Sequence, residues 1–177
     1  GRDQARQKKP CLPTEVEPPT GVPPNWTWAQ FERVGIIRSN LVDPGDYPDL
    51  PHIAPNHIEK STGRLLPCGT VIEDRVTSNK HRFCAGQILY SKIRPNLSKV
   101  VIVDFEGLCS ADMYPLEARI DTKYLWLYLL SSMFLQQVTQ SDNRVAMPKV
   151  NQRHLNSVMV PVPPLPEQHR IVAKVDH

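Results

Sequence analysis

Leu125, Leu129 and Met133 recur at a spacing of four residues, and so do Trp126, Leu130, Phe134 and Val138. On a helix these positions merge into one wide apolar stripe, which is stable only against a second layer of structure. The stretch from Lys123 to Thr139 therefore predicts a helix, with Thr122 as its cap, packed on a sheet. Its Trp and Tyr side chains then belong to a core rather than to a ligand platform.

The sheet is expected just before that helix. Gln87 to Lys92 reads as a strand after an Ala85-Gly86 turn, and Lys99 to Asp104 is an apolar run of strand length closed by Glu106-Gly107. Leu108 to Tyr114 is expected to return beside it as a hairpin partner, and Thr70 to Glu73 reads as a further strand. Proline and glycine break the pattern from Trp26 to Val76 into short strands and loops. Beyond the helix, Asn151 to Leu155 predicts a short helix, and Val158 to Val162 an edge strand because of Pro161. Pro166 and Glu167 then open a last helix, with Ile171, Val172 and Val175 as an apolar seam that wants a partner.

Residues 1–24 read as a linker, since Pro10, Pro13, Pro18, Pro19, Pro23 and Pro24 remove backbone donors and Arg2, Arg6, Lys8 and Lys9 keep it polar. Folding is expected to begin at Trp26 and Trp28, which need burial. With 177 residues, 40% of them apolar, the chain is long enough for one domain with a core. Runs such as Tyr124 to Leu130 fall far short of the roughly 20 residues a membrane span requires, and the polar start lacks the apolar region of a signal peptide. Cys11, Cys68, Cys84 and Cys109 form no close pair, so reduced thiols and a cytoplasmic location are expected. No metal site is expected, because His52 and His57 lack ligand spacing and have no cysteine beside them.

The net charge of +3 says little, but its distribution says more. No acid occurs from Arg75 to Val103, where Arg75, Lys80, Arg82, Lys92, Arg94 and Lys99 lie; none occurs from Asn143 to Pro166, where Arg144, Lys149 and Arg153 lie. Such segregation gives one face a positive potential, or else marks strand edges protected from aggregation; composition leaves both open. Enzyme patterns are missing. Pro23-Pro24-Asn25-Trp26 has the wrong order for a base-flipping methyltransferase, and no Gly-rich cofactor loop precedes it. Pro48-Asp49 and Asp121-Thr122-Lys123 stand too far apart in sequence for a nuclease set, and His52, Asn56 and His57 show no clear ligand spacing. No nucleophile elbow or phosphate-binding loop occurs.

Four stretches, in order, resemble type I restriction-modification specificity subunits. They are Phe83 to Asn96, with Gly86-Gln87-Ile88-Leu89-Tyr90-Ser91-Lys92-Ile93-Arg94-Pro95; Leu108 to Leu116; Arg144 to Gln152 with Leu155; and Val160 to Gln168 with Arg170-Ile171-Val172. The resemblance implies an α+β fold: a target-recognition domain with a mixed, twisted β-sheet and packed helices over 25–163, then the start of a long spacer helix over 164–177. It implies a non-catalytic reader of one half of a bipartite double-stranded DNA site. The implied partners are modification subunits that methylate adenine, a restriction subunit that cuts, and a second recognition domain or a second copy joined through the spacer helix. No cofactor is expected in this chain, with S-adenosylmethionine, ATP and Mg confined to partner subunits. The alternative is a truncated specificity subunit acting in assembly or regulation without DNA readout of its own.

Within that implied role, phosphate contacts position a protein and base-edge contacts specify. The polar segments Ser78 to Arg82 and Gln140 to Arg144 offer base-reading chemistry, giving Asn79, Lys80, His81, Arg82, Gln140, Asn143 and Arg144 as readout candidates. Lys92, Arg94, Lys149 and Arg153 are the phosphate candidates. Arg94, ahead of Pro95, is equally compatible with a structural pair to a carboxylate such as Asp112.

Overall fold

The computed structural model describes residues 21–139 and 149–175. Along the chain run β1 (Thr27–Gln30), α1 (Phe31–Val34), β2 (Gly35–Ile37), β3 (Leu41–Val42), β4 (His52–Ile53), β5 (Lys80–Phe83), β6 (Ile88–Ser91) and β7 (Val100–Ile102). They are followed by β8 (Gly107–Cys109), β9 (Met113–Ala118), α2 (Thr122–Leu130), α3 (Ser132–Thr139), α4 (Gln152–Ser157), β10 (Met159–Val162) and α5 (Leu165–Val175). The strands make an antiparallel sheet β2-β9-β6-β7, a second sheet β3-β5-β8-β4 in which β4 and β8 run parallel, and a β1-β10 ribbon. The α+β architecture expected from sequence is what forms.

The period of a strand explains the layering. Every residue of β6 is buried. Ile88 and Tyr90 point into a core shared with Leu125, Leu129 and Phe134 of the helices, whereas Leu89 joins Ile53, Phe83 and Cys109 of the second sheet. The β6 sheet is therefore a middle layer, with helices on one face and the second sheet on the other. A strand buried on both sides reads as an unbroken apolar run, which is why β6 and β7 stand out in the sequence. Burial also pushes the Cys109 thiol up to about 12, so it packs as an inert apolar group. Cys68, Cys84 and Cys109 carry free thiols.

Helix α2 is fastened as well as packed. The Tyr128 hydroxyl donates to the Met159 carbonyl at 2.6 Å, and the Tyr124 hydroxyl donates to that of Pro161. These bonds tie α2 to β10, an edge strand whose proline faces Trp28 in the ribbon. Trp126 packs against the helical core and crowds Gly63, whose positive φ of 72° and missing Cβ let the β4–β5 excursion pass close over the indole.

Four local expectations need correction. Thr70 makes only an isolated bridge to Pro51, and the chain then turns, with Asp74 N–H on the Thr70 carbonyl and Ile72 64% exposed. Leu108 to Tyr114 is no hairpin partner for β7, which pairs with β6. The turn at Ser110–Asp112 instead hands the chain from the second sheet (β8) to the first (β9). The long helix breaks at Ser131, whose extended ψ of 156° separates α2 from α3 while the apolar spacing runs on across it. Its cap is Asp121 rather than Thr122, the carboxylate accepting from Tyr124 N–H at 2.8 Å.

Candidate nucleic-acid interface

Strand directions gather one group of cations. The end of β6, the start of β7, the end of β8 and the starts of β5 and β9 all lie on the Ser110–Asp112 side of the sheets. Lys92 follows β6, Lys99 precedes β7, and Lys80 opens β5 level with Ser110. The opposite end holds the β7–β8 connection with Asp104 and Glu106. Charge segregation in the sequence thus becomes segregation along the strand axis.

Main-chain bonds lock three segments together at the cationic end. Lys92 N–H donates to the Asp112 carbonyl at 3.0 Å, and the Lys92 carbonyl accepts from Val150 N–H at 2.8 Å. Ile93 bridges Lys149. The Lys92 ammonium sits 5.0 Å from the centre of the Tyr114 ring, a cation–π contact that aims it without neutralising it. Lys149 lies 3.4 Å from the Asp112 carboxylate, both side chains well exposed.

Arg94 and Ser98 bracket the Pro95–Leu97 turn, both in the left-handed region, at φ 49° and 44°. A non-glycine residue held there costs about 1–3 kcal/mol, a strain typical of functional sites. The Arg94 side chain makes no hydrogen bond or ion pair among the described residues, so the Asp112 pairing left open by the sequence does not form. Lys99 is fixed by its main chain, which accepts from Ser91 N–H at 3.0 Å, and by its ammonium, which donates to the Pro55 carbonyl at 2.6 Å. A cavity of about 300 Å³ opens between Pro55, Asn56, Arg94, Lys99 and Asp112. A smaller one of about 200 Å³ adjoins it over Ile93, Arg94, Asp112 and Lys149.

The other candidates divide. Asn79 is exposed just before β5, and the Lys80 ammonium donates to Ser78 Oγ at 2.6 Å, partial burial lowering its pKa. His81 is not available to a base edge: it is 3% exposed, and its Nδ1 accepts from Asn40 N–H at 3.1 Å. Arg82 points away from the cluster, 3.0 Å from Glu106 and 5.1 Å over the Tyr47 ring. Both sit on a strand rather than in the loop the sequence suggested, and alternation sends His81 inward and Arg82 to an acid-lined surface. Arg153 is exposed on α4, three residues beyond Val150. Gln140, Asn143 and Arg144 lie outside the described residues. Lys99 and Asn56 were not singled out for contact by sequence; the position of Lys99 inside the acid-free stretch was the available signal.

In the last helix, Ile171 and Val172 are half-buried, while Val175 is 58% and Leu165 54% exposed. Among the described residues no group of three or more His, Cys, Asp or Glu side chains could hold a metal, and no helix is long and apolar enough to cross a membrane.

The architecture matches solved specificity subunits. The HsdS subunit from Thermoanaerobacter tengcongensis superposes with a TM-score of 0.76 at 23% identity, over 89% of this chain and 43% of that one. A chain from work on complex assembly and conformational transition of the type I R-M system gives a TM-score of 0.77 at 25% identity, with the same coverages. The class of fold is therefore that of a type I specificity subunit's recognition module.

Residues 32–177 match the type I restriction modification DNA specificity domain, and the chain belongs to that family. It is similar to the specificity subunit of the type I restriction enzyme EcoDI of Escherichia coli, 50% identical over 155 residues. That match covers 88% of this chain but 35% of the relative, so the chain spans about a third of the curated relative's length.

Proposed function

We propose that this domain reads one half of a bipartite DNA site for a type I restriction-modification complex. The observation that supports it is the cationic end of the sheets. Arg94, Lys99 and Lys149 line two neighbouring concavities, Lys92 stands at the same strand end over the Tyr114 ring, and the acids Asp104 and Glu106 occupy the far end. Such an arrangement grips phosphates and holds neighbouring polar side chains against a groove.

The domain performs no chemistry of its own in this reading. Methylation, cleavage and the S-adenosylmethionine, ATP and Mg they use reside in modification and restriction subunits. The exposed Leu165 and Val175 on α5 favour a second role beside DNA reading: this helix is the joint to a second recognition domain or to a second copy. A purely assembly role, without readout, is the competing account.

Exchanging residues 26–163 between two specificity subunits tests the proposal. Sequencing of methylated adenines in host DNA should show one half-site moving with the exchanged segment. Unchanged methylation patterns in an active complex would reject DNA readout by this domain.

A further inference from the structure

We infer that Asn56 is a base-reading residue and that the base it reads is an adenine. The inference rests on the DNA-reading role proposed above.

Asn56 lies in the short turn Pro55–His57 that follows β4, and its side chain is exposed and lines the cavity beside Arg94 and Lys99. It is the one side-chain amide on that lining, and among the described residues it makes no hydrogen bond to protein. A free amide carries one acceptor and one donor group. Adenine presents the matching pair, N7 and N6–H₂, along its major-groove edge, and asparagine meets both at once.

Position matters as much as chemistry, and this turn is held from several sides. Pro55 has a fixed φ, and its carbonyl accepts from the Lys99 ammonium at 2.6 Å. His57 N–H donates to the Ala54 carbonyl at 2.9 Å, and Ala54 N–H donates to His57 Nδ1 at 3.1 Å. The residue behind it, Ile58, is 1% exposed in the second core. Asn56 is thus a short polar side chain on a rigid turn, sharing a cavity lining with Lys99 and with Arg94, a cation able to hold a neighbouring phosphate. A reader needs this combination, because a mobile amide loses in entropy what it gains in contact. The other uncharged polar side chain on the cavity wall fits worse: Ser91 is 2% exposed and donates to the Ile93 carbonyl at 3.1 Å.

The test is selection of bound duplexes from a randomised library by the 177-residue chain and by two variants, at low salt. The wild type should enrich a sequence containing an adenine whose discrimination is lost in Asn56→Ala, by roughly 5- to 150-fold at that position alone. Salt dependence should stay unchanged. Asn56→Asp, a pure acceptor, should move the preference at the same position toward cytosine. An Asn56→Ala chain that enriches the same sequence as the wild type overturns the inference and leaves DNA reading intact. So does loss of a preference for a base other than adenine, or retention of adenine by Asn56→Asp. A wild-type chain that binds duplex but enriches nothing, or does not bind, overturns this inference and the readout proposal together.

Discussion

Gln168 on α5 and Asp121 at the start of α2 form one joint: Asp121 N–H donates to Gln168 Oε1 at 3.0 Å while the Asp121 carboxylate caps α2. The Gln168 amide also donates to the Pro163 carbonyl at 2.9 Å, and the residue is 3% exposed. The last helix is therefore keyed into the domain by a buried polar residue, although Leu165 and Val175 on it stay exposed. Gln168→Ala leaves one buried and one part-buried main-chain group without partners and should lower unfolding stability by about 1–3 kcal/mol. Urea denaturation monitored by tryptophan fluorescence checks this.

Arg82 and Arg94 should separate stability from binding. Arg82 is committed to Glu106 and Tyr47, so Arg82→Ala should shift the denaturation midpoint and leave the salt dependence of DNA binding unchanged. Arg94→Gly should do the reverse. Glycine accepts a φ of 49° without strain, so stability should hold or rise, while the slope of log affinity against log salt should shrink in magnitude by about 0.9. Equal slopes for Arg94→Gly and wild type would remove Arg94 from the phosphate contacts.

Asp112 lies among the cations and shares Lys149. Its carboxylate repels an approaching phosphate and competes with it for that ammonium. Asp112→Asn should tighten binding to duplexes of any sequence by about 2- to 5-fold, the range an exposed pair allows. A titration with non-cognate duplex reads this effect without interference from base recognition.

His81 gives the fold a pH dependence. Burial, and then the nearby Lys92 charge, hold its imidazole below the ordinary value of about 6.5. The folded state disfavours the protonated ring, so the unfolded chain binds more protons between the two values. This contribution to stability is complete above pH 6.5 or so and is lost as pH falls through the lower folded value. His81→Asn should flatten that acid-side loss relative to wild type in denaturation midpoints measured between about pH 7.5 and 5.

Much of the scaffold is legible in the sequence because burial on two faces leaves an unmistakable trace. Ile88 to Ser91 and Val100 to Ile102 announce themselves as strands, and the stripe through Leu125 and Phe134 announces helical packing. Partner choice is not written locally. Nothing in Leu108 to Tyr114 reveals that Ser110–Asp112 switches the chain between sheets, because both halves are equally apolar. Ser131 breaks a helix without disturbing the spacing around it.

The site was legible to a smaller degree. Lys92, Arg94 and Lys149 stand out in sequence as cations of family-like, acid-free stretches, and the fold brings them to one end of the sheets around Asp112. His81 and Arg82 misled, because one residue of register on β5 decides between core and surface. Asn56 carries no sequence signal for this position: the parallel pairing of β4 with β8, across more than fifty residues of chain, and the Lys99–Pro55 bond bring its turn to the cavity.

In the proposed role, cations fixed at one end of two sheets grip a DNA backbone. Titrating the chain with duplex DNA across a range of salt concentrations tests it most directly. With about five or six phosphates engaged, log affinity should fall against log salt with a slope of about −4.5 to −5.5. A slope near zero, or no binding at low salt, would contradict it.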